Sequence, residues 1–259
     1  ATMAAPGVSG FHILAGLDSI FVSQSMELWE VVTGCEMENK YKVYAATPDG
    51  EKIGEPIFRA KENSGCLERQ CCGAARSFEM NVSTMDGNQF IRLLRPFRCT
   101  CLCLNRSVIY TQSAAGEDLG EIYNPFKCCD SILEVGAPKE GREGGVNPLP
   151  LIAAEGKSGD WYVVEANCCQ PGFFCQCPCG PCKEIVWNIT APGAPDAIIG
   201  TIKRVWAGLC KEALTDADSF VIQFPPGCTP YQKATLMGCT FLIDFLLFEK
   251  KQNNNNGRA

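Results

Sequence analysis

FEMNVSTMDGNQFIRLLRPF, residues Phe78–Phe97, places Phe78, Met80 and Val82 two apart, turns at Asp86-Gly87, and resumes with Phe90, Ile91, Leu93 and Leu94. A side-chain period of two marks a strand with one buried face, and Asp-Gly between two such runs marks a hairpin. Working outward, Tyr41–Phe58, Val108–Phe126 and Glu184–Trp206 repeat the pattern: apolar alternation, a Gly-containing turn, a second alternating run. The unit at Phe78 ends in Arg-Pro-Phe-Arg-Cys (Arg95–Cys99) and the next in Asn-Pro-Phe-Lys-Cys (Asn124–Cys128), a self-similarity at a period of about 30 residues. Successive hairpins predict a mainly β protein and suit a closed barrel, because closure removes unpaired strand edges. Between Leu17 and Thr33 the apolar spacing mixes periods, so strand and helix both stay open. GAPKEGREGGVNPLP (Gly136–Pro150) reads as a long surface loop, and the Asn-rich end as a polar tail.

Composition narrows the function. Gly 25 and Pro 16 in 259 residues argue against an all-helical bundle. A formal charge of -6 and a pI near 5.0 offer phosphate no general attraction, so no specific nucleic-acid partner is expected. The single histidine, His12, lies in an apolar stretch and excludes catalytic sites that need several imidazoles. The 18 cysteines are the anomaly. The opening ATMAAPGVSGFHILAGL lacks a basic segment followed by a long apolar one, so a reducing compartment is the expectation. The sequons at Asn81, Asn105 and Asn188 lie in or beside predicted strands and are read as chance matches. No Walker loop, no GxGxxG after a strand and no catalytic carboxylate pair is evident, so neither ATP-driven transport nor enzymatic catalysis is expected.

Five blocks carry a wider likeness: LDSIFVSQSMELWEVVTGCEMENKY (Leu17–Tyr41), LRPFRC (Leu94–Cys99), IKRVWAG (Ile202–Gly208), EALTDADSFVIQFP (Glu212–Pro225) and FLIDFLLFE (Phe241–Glu249). In these the chain resembles the phospholipid scramblases. The resemblance implies a closed tubby-like β-barrel of about 12 strands around a central, hydrophobic C-terminal helix. It implies an N-terminal extension over 1–16, a barrel over 17–249 that includes a helix at 234–248, and a disordered tail over 250–259. It further implies ATP-independent, bidirectional, calcium-activated movement of membrane phospholipids between leaflets. Attachment would be through acylated cysteines to the cytoplasmic face of a membrane, the plasma membrane first, with another organelle membrane, the cytosol or the nucleus as alternatives. No Pro-rich extension of the kind that binds SH3 or WW domains precedes the barrel blocks here, so such partners are not expected. A peripheral lipid-binding adaptor and a structural interaction module are the rival classes.

The resemblance places a calcium loop at Asp216-Ala-Asp218-Ser-Phe220, whose two carboxylates can converge on one hard cation. As an EF-hand it is incomplete: Val221 stands at position 6, Gly227 at position 12, and Phe220, Ile222 and Phe224 alternate like a buried strand. A strand preceded by an Asp-rich turn and a weak calcium site therefore both stay open. Cys99, Cys101 and Cys103 coincide with the segment the family acylates, in a sparser run than its relatives carry. Cys175, Cys177, Cys179 and Cys182 are read as reduced structural or acylated thiols, with a soft-metal site or disulfides as the alternatives; one CxxC without a second at ribbon spacing argues against zinc. Lys203 and Arg204 overlap a nuclear import segment of some relatives, but strand alternation explains their neighbours equally well.

The run Ala234–Phe248 (ATLMGCTFLIDFLLF) contains Leu236, Phe241, Leu242, Ile243, Asp244, Phe245, Leu246 and Phe248. As a helix it measures about 22 Å, short of a hydrocarbon core of about 30 Å. Asp244 at its middle adds about 2.5 kcal/mol or more against insertion. The helix is therefore expected to fill the barrel as its core, with a partner for Asp244.

Overall fold

The computed structural model describes residues 8–25, 38–65, 76–100, 105–128, 130–138, 159–175, 180–205 and 219–248. Among these lie β1 (Ser19–Gln24), β2 (Lys40–Ala46), β3 (Lys52–Asn63), β4 (Phe78–Thr84), β5 (Gln89–Arg95) and β6 (Val108–Ser113). The chain continues through β7 (Asp118–Tyr123), β8 (Asp130–Gly136), β9 (Asp160–Asn167), β10 (Glu184–Thr190), β11 (Ile198–Val205) and β12 (Ser219–Gln223). Among the described residues three α-helices accompany them, α1 (Val8–Ala15), the single turn α2 (Pro171–Phe174) and α3 (Pro230–Leu247), with one 3-10 turn at Gly180–Cys182. Each strand pairs antiparallel with the next, and β1 pairs with β12 in the register Ile20↔Ile222, closing a twelve-stranded barrel. The four hairpins read from alternation are β2–β3, β4–β5, β6–β7 and β10–β11.

Alternation becomes sidedness. On β4, Phe78, Met80 and Val82 are buried while Glu79, Asn81 and Ser83 are half-buried on the outer face. The β4–β5 and β6–β7 turns place Gly87 and Gly116 at φ 86° and 88°, a left-handed backbone that L side chains resist. Register shifts in β2–β3, β4–β5, β6–β7, β8–β9 and β10–β11 all fall toward that end, where the extra twist helps the wall curve closed.

α3 fills the barrel. Its first turn is a capping box, Thr229 accepting from the Gln232 amide and the Gln232 side chain from that of Thr229, with Pro230 at the first helical position. All residues from Lys233 to Phe245 are buried, and strands face the helix on every side. Tyr41 (β2) packs on Phe241 at 4.7 Å between ring centroids, Phe78 (β4) stacks on Phe245 at 4.2 Å, and Trp187 (β10) meets Phe248. Gly238 brings the helix against Leu93 and Ile122, where an added Cβ would lie 2.9 Å from the Ile122 side chain. Asp244 finds its partner in the Tyr41 hydroxyl, which donates to Oδ2 at 2.6 Å. Leu246 is only half-buried, at the end of the run. No helix among the described residues is long and apolar enough to cross a membrane, which leaves strands out of account.

Part of the N-terminal stretch docks on the barrel. Phe11 of α1 meets Phe90 and Tyr231 edge-on, Leu14 is fully buried, and His12 points to solvent. The Lys233 ammonium donates to the Ala15 and Leu17 carbonyls at 3.0 and 2.6 Å, neutralising the negative end of α1. Lys233→Met keeps the aliphatic stem and orphans those carbonyls. It should cost about 2–3 kcal/mol and expose residues 8–17 to hydrogen exchange before the barrel opens. Protection of those amides unchanged from wild type would contradict this.

Candidate functional site: the cysteine-rich end of the barrel

The two ends of the barrel differ. At the N-terminal end of α3 sit the tight turns 47–51, 85–88, 114–117 and 191–197, with exposed Asp49, Glu51, Asp86, Glu117 and Asp196 and no Lys or Arg, together with the long β8–β9 connection, 137–159, whose sequence balances Lys139, Arg142 and Lys157 against Glu140, Glu143 and Glu155. At the C-terminal end of α3 lie the β1–β2, β3–β4, β5–β6, β7–β8, β9–β10 and β11–β12 connections. By chain position, every cysteine except Cys228 and Cys239 falls in those connections. Cys99, Cys128, Cys169 and Cys175 are exposed, and Cys168 and Cys182 half-buried. Cys228 and Cys239 are buried, and burial pushes both thiols up, so they stay protonated and unreactive. Tyr162, beside Cys228, is likewise raised by burial.

Of the residues read from sequence as sites, Cys99, Cys175 and Cys182 are therefore placed at one end. Cys101, Cys103, Cys177, Cys179, Asp216 and Asp218 lie outside the described residues. β12 starts at Ser219, directly after Asp218, so both aspartates belong to the connection at this end. Among the described residues no group of three His, Cys, Asp or Glu side chains is disposed to hold a metal ion. The basic pair of the IKRVW block is split by β11: Lys203 is half-buried on the outer face, whereas Arg204 is buried with its guanidinium 4.0 Å over the Phe248 ring. That placement removes Arg204 from any exposed import signal.

Sequence reasoning missed the charges inside this end. Arg76, Arg95 and Arg204 are buried near the C-terminal end of α3, where cations oppose the partial negative charge of the helix carbonyls. Arg76 donates from Nε to Glu62 Oε1 at 3.0 Å and from Nη2 to Oε2 at 3.2 Å, and lies 4.6 Å over the Phe245 ring. Arg95 donates to Ser107 Oγ at 2.9 Å and faces the Phe78 ring. The available signal was parity: Glu62 shares its face with Phe58 and Ala60, and Arg95 with Leu93. Between β3–β4 and β5–β6 a groove of about 570 Å³ opens, lined by Ser64, Phe78, Glu79, Leu94, Arg95 and Tyr110 among others. At its rim Arg92 donates to Glu79 at 2.6 Å and holds that carboxyl below the usual range.

Two loops are tied together here. Arg98 donates to the Arg106 carbonyl at 3.0 Å, and Arg106 donates to the Asn124 carbonyl at 3.0 Å, to the Asn124 side chain, and to the Pro125 carbonyl. Arg106 also lies 5.9 Å over the Phe126 ring. Lys127 pairs with Glu165 and with Asp130, and the Glu165 hydrogen bond raises its amine, keeping it charged.

Comparison with known proteins gives this arrangement a lineage. A family profile described as Scramblase matches residues 2–149 and 156–250. Phospholipid scramblase 1 of Mus musculus is 31% identical over 250 residues, covering 94% of this chain and 65% of its own length. Phospholipid scramblase 1 of Rattus norvegicus is 32% identical over 250 residues, again 94% of this chain and 64% of that protein. Phospholipid scramblase 2 of Bos taurus is 30% identical over 245 residues, 93% of this chain and 71% of the relative. This chain thus spans about two-thirds of the length of the curated relatives it matches. No solved structure matches it. With nearly the whole barrel and both of its helical ends inside the match, the chain belongs to the scramblase family.

Proposed function

We propose that this protein moves phospholipids between membrane leaflets in both directions, without ATP and in response to calcium, from the cytoplasmic face of the plasma membrane. Family membership carries the proposal. Its chemistry needs no covalent step, only a path for a polar headgroup across about 30 Å of hydrocarbon, and the chain has no phosphate-cradling motif that would couple transport to ATP. Attachment would come from acyl chains on Cys99, Cys101 and Cys103. The exposure of Cys99 supports this, and two or more chains anchor stably where one does not. Calcium would bind weakly at Asp216 and Asp218, an oxygen set too sparse for tight binding unless further ligands join it.

The enclosure of α3 favours a second reading, a peripheral lipid-binding adaptor that moves no lipid, because the most apolar segment is already covered by strands. Reconstitution separates the two. Purified protein in liposomes with a reporter lipid in one leaflet should equalise the leaflets when calcium is added. Asp216→Ala with Asp218→Ala should abolish that response with the thermal midpoint unchanged. Leaflets that stay asymmetric with calcium present select the adaptor. Equal rates in wild type and the double variant remove the calcium assignment alone.

A further inference from the structure

The β5–β6, β7–β8 and β9–β10 connections are consecutive on one half of the barrel rim. Each presents a phenylalanine to solvent: Phe97 at 56% exposure, Phe126 at 43% and Phe174 at 80%. Each phenylalanine is followed within two residues by an exposed thiol, at Cys99, Cys128 and Cys175. The first two are the Pro-Phe-basic-Cys repeats of the sequence. Charge completes the pattern: between Pro96 and Ser107, Asn124 and Cys129, and Cys168 and Lys183, the charged residues are Arg98, Arg106, Lys127 and Lys183, and with Lys127 paired to Asp130 and Glu165 the cations left to set the sign are Arg98, Arg106 and Lys183, in a chain of net charge -6. Arg98 and Arg106 hold the first two tips together through the Arg106, Asn124 and Pro125 carbonyls. The aromatics are thus presented on a bonded platform rather than on separate strings.

We infer that this half of the rim, through Phe97, Phe126 and Phe174 with Arg98, Arg106 and Lys183, docks the barrel end-on to an anionic bilayer surface. The inference deepens the membrane reading above and rests on it. Rings exposed beside cations are what an interface of acyl chains and phosphate headgroups accepts: the ring enters the boundary and the cation stays at headgroup level. The opposite end also exposes apolar side chains, Ile13, Met85 and Ile198 among them, but its tight turns carry Asp49, Glu51, Asp86, Glu117 and Asp196, and the three cations of its β8–β9 connection are offset by three glutamates, so that end is net acidic and an anionic surface repels it. Orientation is therefore set by charge. On this surface Cys99, Cys128 and Cys175 lie at the depth where an acyl group on sulfur passes directly into the hydrocarbon.

The test is flotation of the full chain, treated with hydroxylamine to strip any thioester, with vesicles of phosphatidylcholine alone or with about 30 mol% phosphatidylserine. The wild-type chain should float with the anionic vesicles, less so with neutral ones, and lose binding as salt rises. The triple variant Phe97→Ser, Phe126→Ser, Phe174→Ser should partition about tenfold less with an unchanged thermal midpoint. Lys183→Glu alone, with all rings kept, should weaken binding to anionic vesicles only. Ile13→Ser with Met85→Ser, at the other end, should change nothing. Wild-type partition by the triple variant, or an equal loss in the Ile13 and Met85 variant, overturns the surface. Its failure leaves leaflet mixing intact, whereas docking without leaflet mixing keeps the surface and removes the transport reading.

Discussion

Arg76→Met is expected to lower the stability of the fold by about 3–5 kcal/mol, the usual cost of removing one member of a buried ion pair. Arg76 is 1% exposed and Glu62 fully buried. The carboxylate is satisfied on both oxygens: Oε1 accepts from Arg76 Nε and from Ser64 Oγ at 2.6 Å, Oε2 from Arg76 Nη2 and from the Asn39 amide at 3.0 Å. Methionine fills much of the volume but leaves that charge without its counterion. The double variant with Glu62→Gln should recover part of the loss, since an amide costs less to bury than an unpaired carboxylate. Urea denaturation of the two variants measures both effects. A loss under about 1 kcal/mol would mean that solvent screens the pair.

The second large effect belongs to Phe245→Ala, expected at about 3–5 kcal/mol for emptying an aromatic site in a packed core. The ring is fully buried, lies nearly parallel to Phe78 at 4.2 Å between centroids, and carries the Arg76 guanidinium on its face. Because Arg76 touches both Glu62 and Phe245, the two losses should not add, and a double-mutant cycle would report the coupling. The same variant tests where α3 spends its time. A helix that met lipid with this face would lose membrane partition and keep its stability in water. A helix that serves as barrel core loses stability, and the protein then unfolds at lower urea whether or not vesicles are present.

Much of the architecture was legible because a barrel wall has one wet and one dry face. The four hairpins announce themselves by that period together with a turn residue, and β12 by Phe220, Ile222 and Phe224. β8 and β9 alternate as well, through Leu133 and Val135, then Tyr162 and Val164. They are joined across a long Gly-, Pro- and charge-rich connection, so no turn signal couples them. α3 was predicted from its apolar run to start at Ala234; the capping box carries it back one turn to Pro230. α1 was not foreseen, because its residues are nearly all apolar and become helical against Phe90, Tyr231 and Lys233. The buried arginines and Glu62 escaped for a related reason: polarity was read as exposure, and only strand parity places them inside. At the site, spacing grouped the cysteines along the chain, but strand direction is needed to see that distant clusters share one end.

The order of elements along the chain has a further consequence for how the molecule is made. β1 must pair with β12 to complete the wall, and the segment that the wall encloses, α3, follows β12. During synthesis, therefore, every hairpin leaves the ribosome before the element that covers its apolar face exists. Local hairpins can zip as they appear, since their contacts are near in sequence, while β1–β12 pairing spans nearly the whole chain and pays the larger loop-closure entropy. The nascent sheet is thus an open, one-sidedly greasy ribbon until its last helix is released. A chaperone binding that ribbon would compete for the same surface as α3. A chain cut after Gln223 would retain all twelve strands and have nothing to fold around.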